Sequence, residues 1–136
     1  AKGHYVSILE LLADLATRGV ELRLLHGALP SGPFRARLAD MDELDESLQI
    51  RHCPRVHMKM IAVDGQLLYL GSANLTGAGL GAKADERRNF EAGILTSDDM
   101  MLDEMQQRFE AIWTGKPCGA CAVREHCPEP LDELLL

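Results

Sequence analysis

The chain has 136 residues and a mass of 15.0 kDa, with 46% hydrophobic and 26% charged residues and a mean hydropathy of -0.09. A chain of this size folds as one domain that buries roughly two-thirds of its unfolded surface, and so high an apolar fraction excludes disorder as the main state. The longest unbroken apolar runs, such as Met60–Val63, are a handful of residues, whereas a membrane-crossing helix needs about 20.

Tyr5, Ile8, Leu9, Leu12, Leu15 and Ala16 recur at three- and four-residue steps, which predicts a helix, and Gly19 stands where its C-terminal stop belongs. Val20–Leu24 alternates with period two, as a half-buried strand does. Gly27–Pro33 carries two Gly and two Pro and reads as a loop. Phe34–Leu48 is polar with Leu38, Met41, Leu44 and Leu48 in helical register, so a surface helix is expected there. His57–Val63 reads as a strand, Asp64-Gly65 as a tight turn and Gln66–Leu70 as the antiparallel return. Gly71–Gly81 is glycine-rich and irregular, and Phe90–Leu95 is a further strand. A last helix runs from Asp98 to Trp113 on a stripe of Met101, Leu102, Met105, Phe109 and Ile112, with early acids suiting its N-terminus. This alternation of helices with strands predicts an α/β sandwich in which helices flank a mixed sheet. No basic, apolar-cored leader opens the sequence, so a cytoplasmic protein is expected.

The formal charge of -7 argues against a protein that coats nucleic acid through bulk charge. That average conceals an asymmetry. Between Arg51 and Arg88 there are six Lys/Arg (Arg51, Arg55, Lys59, Lys83, Arg87, Arg88) against three acids (Asp64, Asp85, Glu86), a local charge of +3. Acids gather instead in Asp40–Glu46 and in the tail after Arg124. A basic centre within an acidic shell suits an anionic substrate held at one spot.

Chemistry-bearing side chains concentrate in that basic centre. On a strand His57 and Lys59 project from one face, and a turn at Asp64-Gly65 folds Gly71, Ser72 and Asn74 back to the same end. An imidazole, an ammonium, a hydroxyl and a carboxamide then surround one small volume. That set suits phosphoryl transfer: Lys59, Asn74 and Ser72 meet the non-bridging oxygens as they gain charge, and a ring nitrogen of His57 can attack phosphorus.

The spacing His-x-Lys-x4-Asp-x6-Gly-Ser-x-Asn, filled by His57, Lys59, Asp64, Gly71, Ser72 and Asn74, resembles the signature of the phospholipase D superfamily. The resemblance covers about residues 5–113, and Asn89-Phe90-Glu91 is similar to the strand whose Glu holds the catalytic His, a role carried here to Glu91. It implies a phosphohistidine formed on one His while a second His, from another copy of the motif, protonates the leaving oxygen. One copy is present, so the partner is a second chain in a homodimer or an upstream motif of a longer chain. By the same resemblance Asp64 is more a structural charge than a proton carrier, and the strand that the family places before its first helix is either missing from this stretch of sequence or trimmed from the sheet. The resemblance implies a metal-independent phosphodiesterase, with a nuclease favoured by the local charge. A lipid-directed phospholipase D or phosphatidyltransferase and a non-catalytic phosphate-binding module are the alternatives.

Residues 1–114 form the expected catalytic domain and residues 115–136 a Cys-rich tail. Cys118 and Cys121 have metal-ligand spacing, Cys127 follows with Pro128 after it, and Cys53 precedes the motif. A tetrahedral zinc site needs four donors, so Cys53, His126 or a Cys outside this stretch of sequence would complete it. The tail is also similar to that of RecB-type nucleases, which holds a four-iron, four-sulfur cluster. Zinc or such a cluster is expected as a structural clasp, not as the catalyst.

Overall fold

The computed structural model describes residues 6–28, 30–75 and 85–135. Among these residues three helices flank two sheets, giving the mixed α/β fold expected from the sequence. Helix α1 (Ile8–Thr17) starts at a capping box: Ser7 Oγ accepts from Glu10 N at 3.2 Å, and Glu10 Oε2 accepts from Ser7 N at 2.9 Å. It ends where Gly19 takes a φ of 82°. Tyr5, placed on this helix by its spacing, lies outside the described residues.

Strand β1 (Leu22–His26) leads to helix α2 (Gly32–Ala39), capped by Ser31. The sequence between Phe34 and Leu48 is not one helix. After α2 come a 3₁₀ turn, Asp42–Leu44, and strand β2 (Leu48–His52), which pairs parallel to β1 in the register Leu22↔Leu48 to His26↔His52. The helical spacing of Leu38, Met41, Leu44 and Leu48 has a physical cause all the same. All four pack on one core with Leu9, Ala13 and Ala16 of α1, reached from three separate elements. Leu48-Gln49-Ile50-Arg51 alternates apolar with polar, and that local period won over the longer one.

Strands β3 (Met60–Val63), β4 (Leu67–Gly71) and β5 (Gly93–Thr96) form an antiparallel sheet in that order. The hairpin between β3 and β4 turns on Asp64 and Gly65, whose φ values of 53° and 64° are both left-handed. Gln66 N–H closes it on Val63 O at 2.9 Å. The expected start of β5 at Phe90 is too early: Phe90 is wholly exposed and pairing begins at Gly93.

Helix α3 (Asp99–Trp113) is capped by Asp98, whose Oδ1 accepts from Met101 N at 2.9 Å. It buries Leu102 and Trp113, and Leu68 of β4 is buried too. The parallel pair is tied to α3 by two arginines. Arg23 lies over the rings of Phe109 and Trp113 at 5.1 and 5.4 Å and bonds Glu110 at 2.5 Å. Arg51 lies 4.4 Å over Trp113 and donates to its carbonyl oxygen. After α3 the tail folds back in short 3₁₀ turns, with Leu131 buried and its backbone against Gly115.

Candidate active site

His57, Met58 and Lys59 lie just before β3 rather than within it, yet pairing continues one step past the strand: Gly71 N–H donates to Lys59 O at 3.1 Å. This brings the end of β4 beside the motif's first residues. Lys59 Nζ stands 3.0 Å from His57 Nδ1, 3.2 Å from Nε2 and 2.9 Å from the His57 carbonyl oxygen. The ammonium therefore lies against the imidazole, nearly equidistant from its two nitrogens, and is anchored by donating to the His57 carbonyl oxygen.

Ser72 sits beyond Gly71 and ties β4 to the approach of β5. Its N–H donates to Ala92 O at 2.9 Å, its Oγ accepts from Ala92 N at 3.0 Å, and its hydroxyl donates to Glu91 Oε2 at 2.5 Å. A hydroxyl has one proton, and the carboxylate contact is the shorter and stronger one. Glu91, expected on His57, thus has its contact on Ser72, and no hydrogen bond joins Glu91 to His57. The cause is local: the Ser72–Ala92 exchange lays residue 91 alongside Ser72. Asn74 is exposed, with no hydrogen bond among the described residues. Asp64 is in the hairpin turn, separated from His57 by the length of β3.

Gly71 faces Gly93 across the sheet, and the Tyr69 ring covers the pair. A Cβ on Gly93 would come 2.6 Å from Tyr69 Cε2, so both positions need glycine for packing alone. Tyr69 was not singled out by the sequence, although the Tyr-x-Gly spacing on one strand face carries the signal. Strand parity puts Ile61, Val63, Leu67 and Leu95 on this same face, and all four are exposed. His57, Ser72, Asn74 and Glu91 are exposed as well, so the site is an open surface.

The basic centre is thinner than the sequence count implies. Arg51 is held on Trp113, and Arg55 donates to Cys121 Sγ at 3.5 Å; Lys83 lies outside the described residues, as does the 76–81 part of the glycine-rich stretch. A concave hollow exists elsewhere. It is lined by Cys53, Cys118, Cys121 and Cys127 together with Arg55 and Arg124, and all four thiols are free and half-buried. His126, the other candidate donor, does not line it. A backbone hydrogen bond from the Val123 region and the Arg55 guanidinium lower the Cys121 thiol pKa, and the same contact raises that of Arg55.

Gly27 lets the turn of residues 53–56 lie against the end of β1, because a Cβ there would sit 1.9 Å from Val56 O. Cys53 N–H also donates to His26 O at 3.0 Å, and the His26 and His52 rings stack at 4.9 Å, opposed by the parallel register. These contacts fix the segment that delivers His57.

No curated protein matches the sequence. The family model described as the phospholipase D-like domain of cardiolipin synthase matches residues 4–113, which span both sheets, all three helices and every motif residue. The chain belongs to the phospholipase D superfamily.

Proposed function

We propose that the chain is a metal-independent phosphodiesterase acting on nucleic acid, with His57 as nucleophile. The observation that carries this reading is the Lys59 ammonium set 3.0 and 3.2 Å from the two nitrogens of His57 on an open face. A ring nitrogen attacks phosphorus as the bond to the leaving oxygen breaks, and a second histidine gives that oxygen its proton. Water then attacks the phosphohistidine, gives a proton to the second histidine and breaks the nitrogen–phosphorus bond, which frees a phosphomonoester and restores His57. The Lys59 ammonium and Asn74 amide meet the non-bridging oxygens as charge builds, which is the work a metal does elsewhere. Ser72, through Glu91 and Ala92, positions the loop that carries Asn74.

The second histidine comes from another copy of the motif, in a homodimer or upstream in a longer chain, since one copy is present here. The exposed strip of Ile61, Val63, Leu67 and Leu95 beside the site supports such a docked copy. The open face suits a polymer whose phosphates run across it. A lipid substrate is the second reading, favoured by the matched family's description and by the same apolar strip.

The test incubates the protein in EDTA with DNA, RNA and phospholipid vesicles. Nucleic-acid cleavage that falls by about three orders of magnitude or more in His57→Ala supports the proposal. Release of head groups without nucleic-acid cleavage gives the lipid reading. Failure to trap phosphate on His57 from any of these substrates leaves a phosphate-binding module.

A further inference from the structure

We propose that Cys53, Cys118, Cys121 and Cys127 bind a four-iron, four-sulfur cluster in the hollow they line. This site lies apart from His57 and holds whatever the substrate is. The four thiols come from two places in the sequence, the turn after β2 and the tail after α3, and they meet in one hollow. None is paired in a disulfide. The tail winds around the hollow in successive tight turns: Cys121 N–H donates to Cys118 O at 3.2 Å, Arg124 N–H to Cys121 O at 3.1 Å and Cys127 N–H to Arg124 O at 3.1 Å. Two of these turns end on a cysteine, Cys121 and Cys127, and the middle one ends on Arg124, which lines the same hollow.

The choice of cluster over a single ion rests on spread. Among the described residues, no three His, Cys, Asp or Glu side chains stand close enough to hold one metal ion, although four thiols border the same space. A zinc site draws four sulfurs to about 2.3 Å from one centre. A cubane instead places an iron at each of four corners, so its thiolates stand farther apart and enclose a larger volume. The surroundings suit the charge. Four thiolates around such a core leave a net negative group, and the hollow sets two guanidiniums, Arg55 on Cys121 Sγ at 3.5 Å and Arg124, against one carboxylate, Glu129. Arg124 is itself held by Asp132 at 2.8 and 2.9 Å, which fixes its position at the rim. On binding, the thiols lose their protons to solvent and bond the irons of a preformed core, with no change of oxidation state at the protein.

The experiment is metal and sulfide analysis of the full chain purified without oxygen, then reconstituted anaerobically with iron, sulfide and a thiol reductant. The expected result is about four irons and four acid-labile sulfides per chain, a broad visible sulfur-to-iron charge-transfer band, and loss of both in Cys53→Ser and Cys118→Ser. Circular dichroism of these variants reads whether the helices survive, since neither residue lies in α1, α2 or α3. Should a variant unfold, the wild-type count decides alone. One zinc per chain without sulfide, or no metal bound under either condition, overturns the proposal.

Discussion

Gly71→Ala separates two reasons for a glycine in the motif: close approach of a phosphate, and packing within the sheet. A Cβ at Gly71 would lie 2.5 Å from Tyr69 Oη, 2.7 Å from Gly93 Cα and 2.8 Å from Ala92 O. Carbon atoms pack best at about 3.5 Å or more, so against Gly93 Cα, at 2.7 Å, the shortfall is about 0.8 Å. The tyrosine ring can swing aside, but the other two atoms are backbone, so β4 and β5 must part where Ser72 bonds Ala92. Overpacking of this kind costs about 1–3 kcal/mol. With a urea m-value of about 2 kcal/mol/M for a domain of this size, the midpoint falls by about 0.5–1.5 M at unchanged m. The assay is urea unfolding of wild type, Gly71→Ala, Tyr69→Phe and the double variant. Tyr69→Phe should recover only part of the loss, because the backbone clashes persist. A Gly71→Ala midpoint within about 0.2 M of wild type, together with lost activity, would refute the packing role and assign the glycine to the ligand alone.

Arg51→Ala removes a guanidinium stacked on Trp113 and a donor to its carbonyl, and is expected to destabilise by about 1–3 kcal/mol in thermal or urea unfolding; Arg51→Lys should restore little of this, as the planar stack is lost. Gly115→Ala adds a Cβ 2.3 Å from Asp132 N at a φ of 75°. It should detach the last turns and expose the Arg124 bond to trypsin, and cleavage at the wild-type rate would contradict the packing described. The hydrogen bond from Arg23 holds the Glu110 carboxyl below its ordinary value of 4.5. A depressed folded-state pKa adds stability above the unfolded value and loses it as pH falls through the folded one. Glu110→Gln should therefore be less stable than wild type near neutrality, with the gap closing as the pH falls below 4.5; a constant gap would show that charge plays no part.

The helices with apolar stripes were legible in the sequence. Asp98 before the Met101–Ile112 stripe satisfies a local rule that packing did not override, whereas the Ser7–Glu10 capping box that starts α1 emerged only from the structure. The hairpin was equally plain, because Asp64-Gly65 is chemistry for two left-handed residues. Strand β2 was hidden since Leu44 and Leu48 meet the same core as α2, so a tertiary coincidence imitated one helical face. Two of the six basic residues read as substrate charge serve the fold instead, Arg51 on Trp113 and Arg55 on Cys121. Charge counted along a chain cannot tell which cations face a ring or a thiol. Glu91 was read by family pattern onto His57, and its contact with Ser72 depends on how residues 91 and 92 enter β5, which no periodicity encodes.

The family match ends at residue 113 and the sequence runs on for 23 more, yet Cys53, four positions ahead of His57, shares a wall with that extension. A truncation drawn at the edge of homology would keep every motif residue while stripping the outer support from the loop that presents the imidazole. Homology and mechanical integrity thus place the lower border of this unit at different points, and engineering of shorter versions has to follow the second.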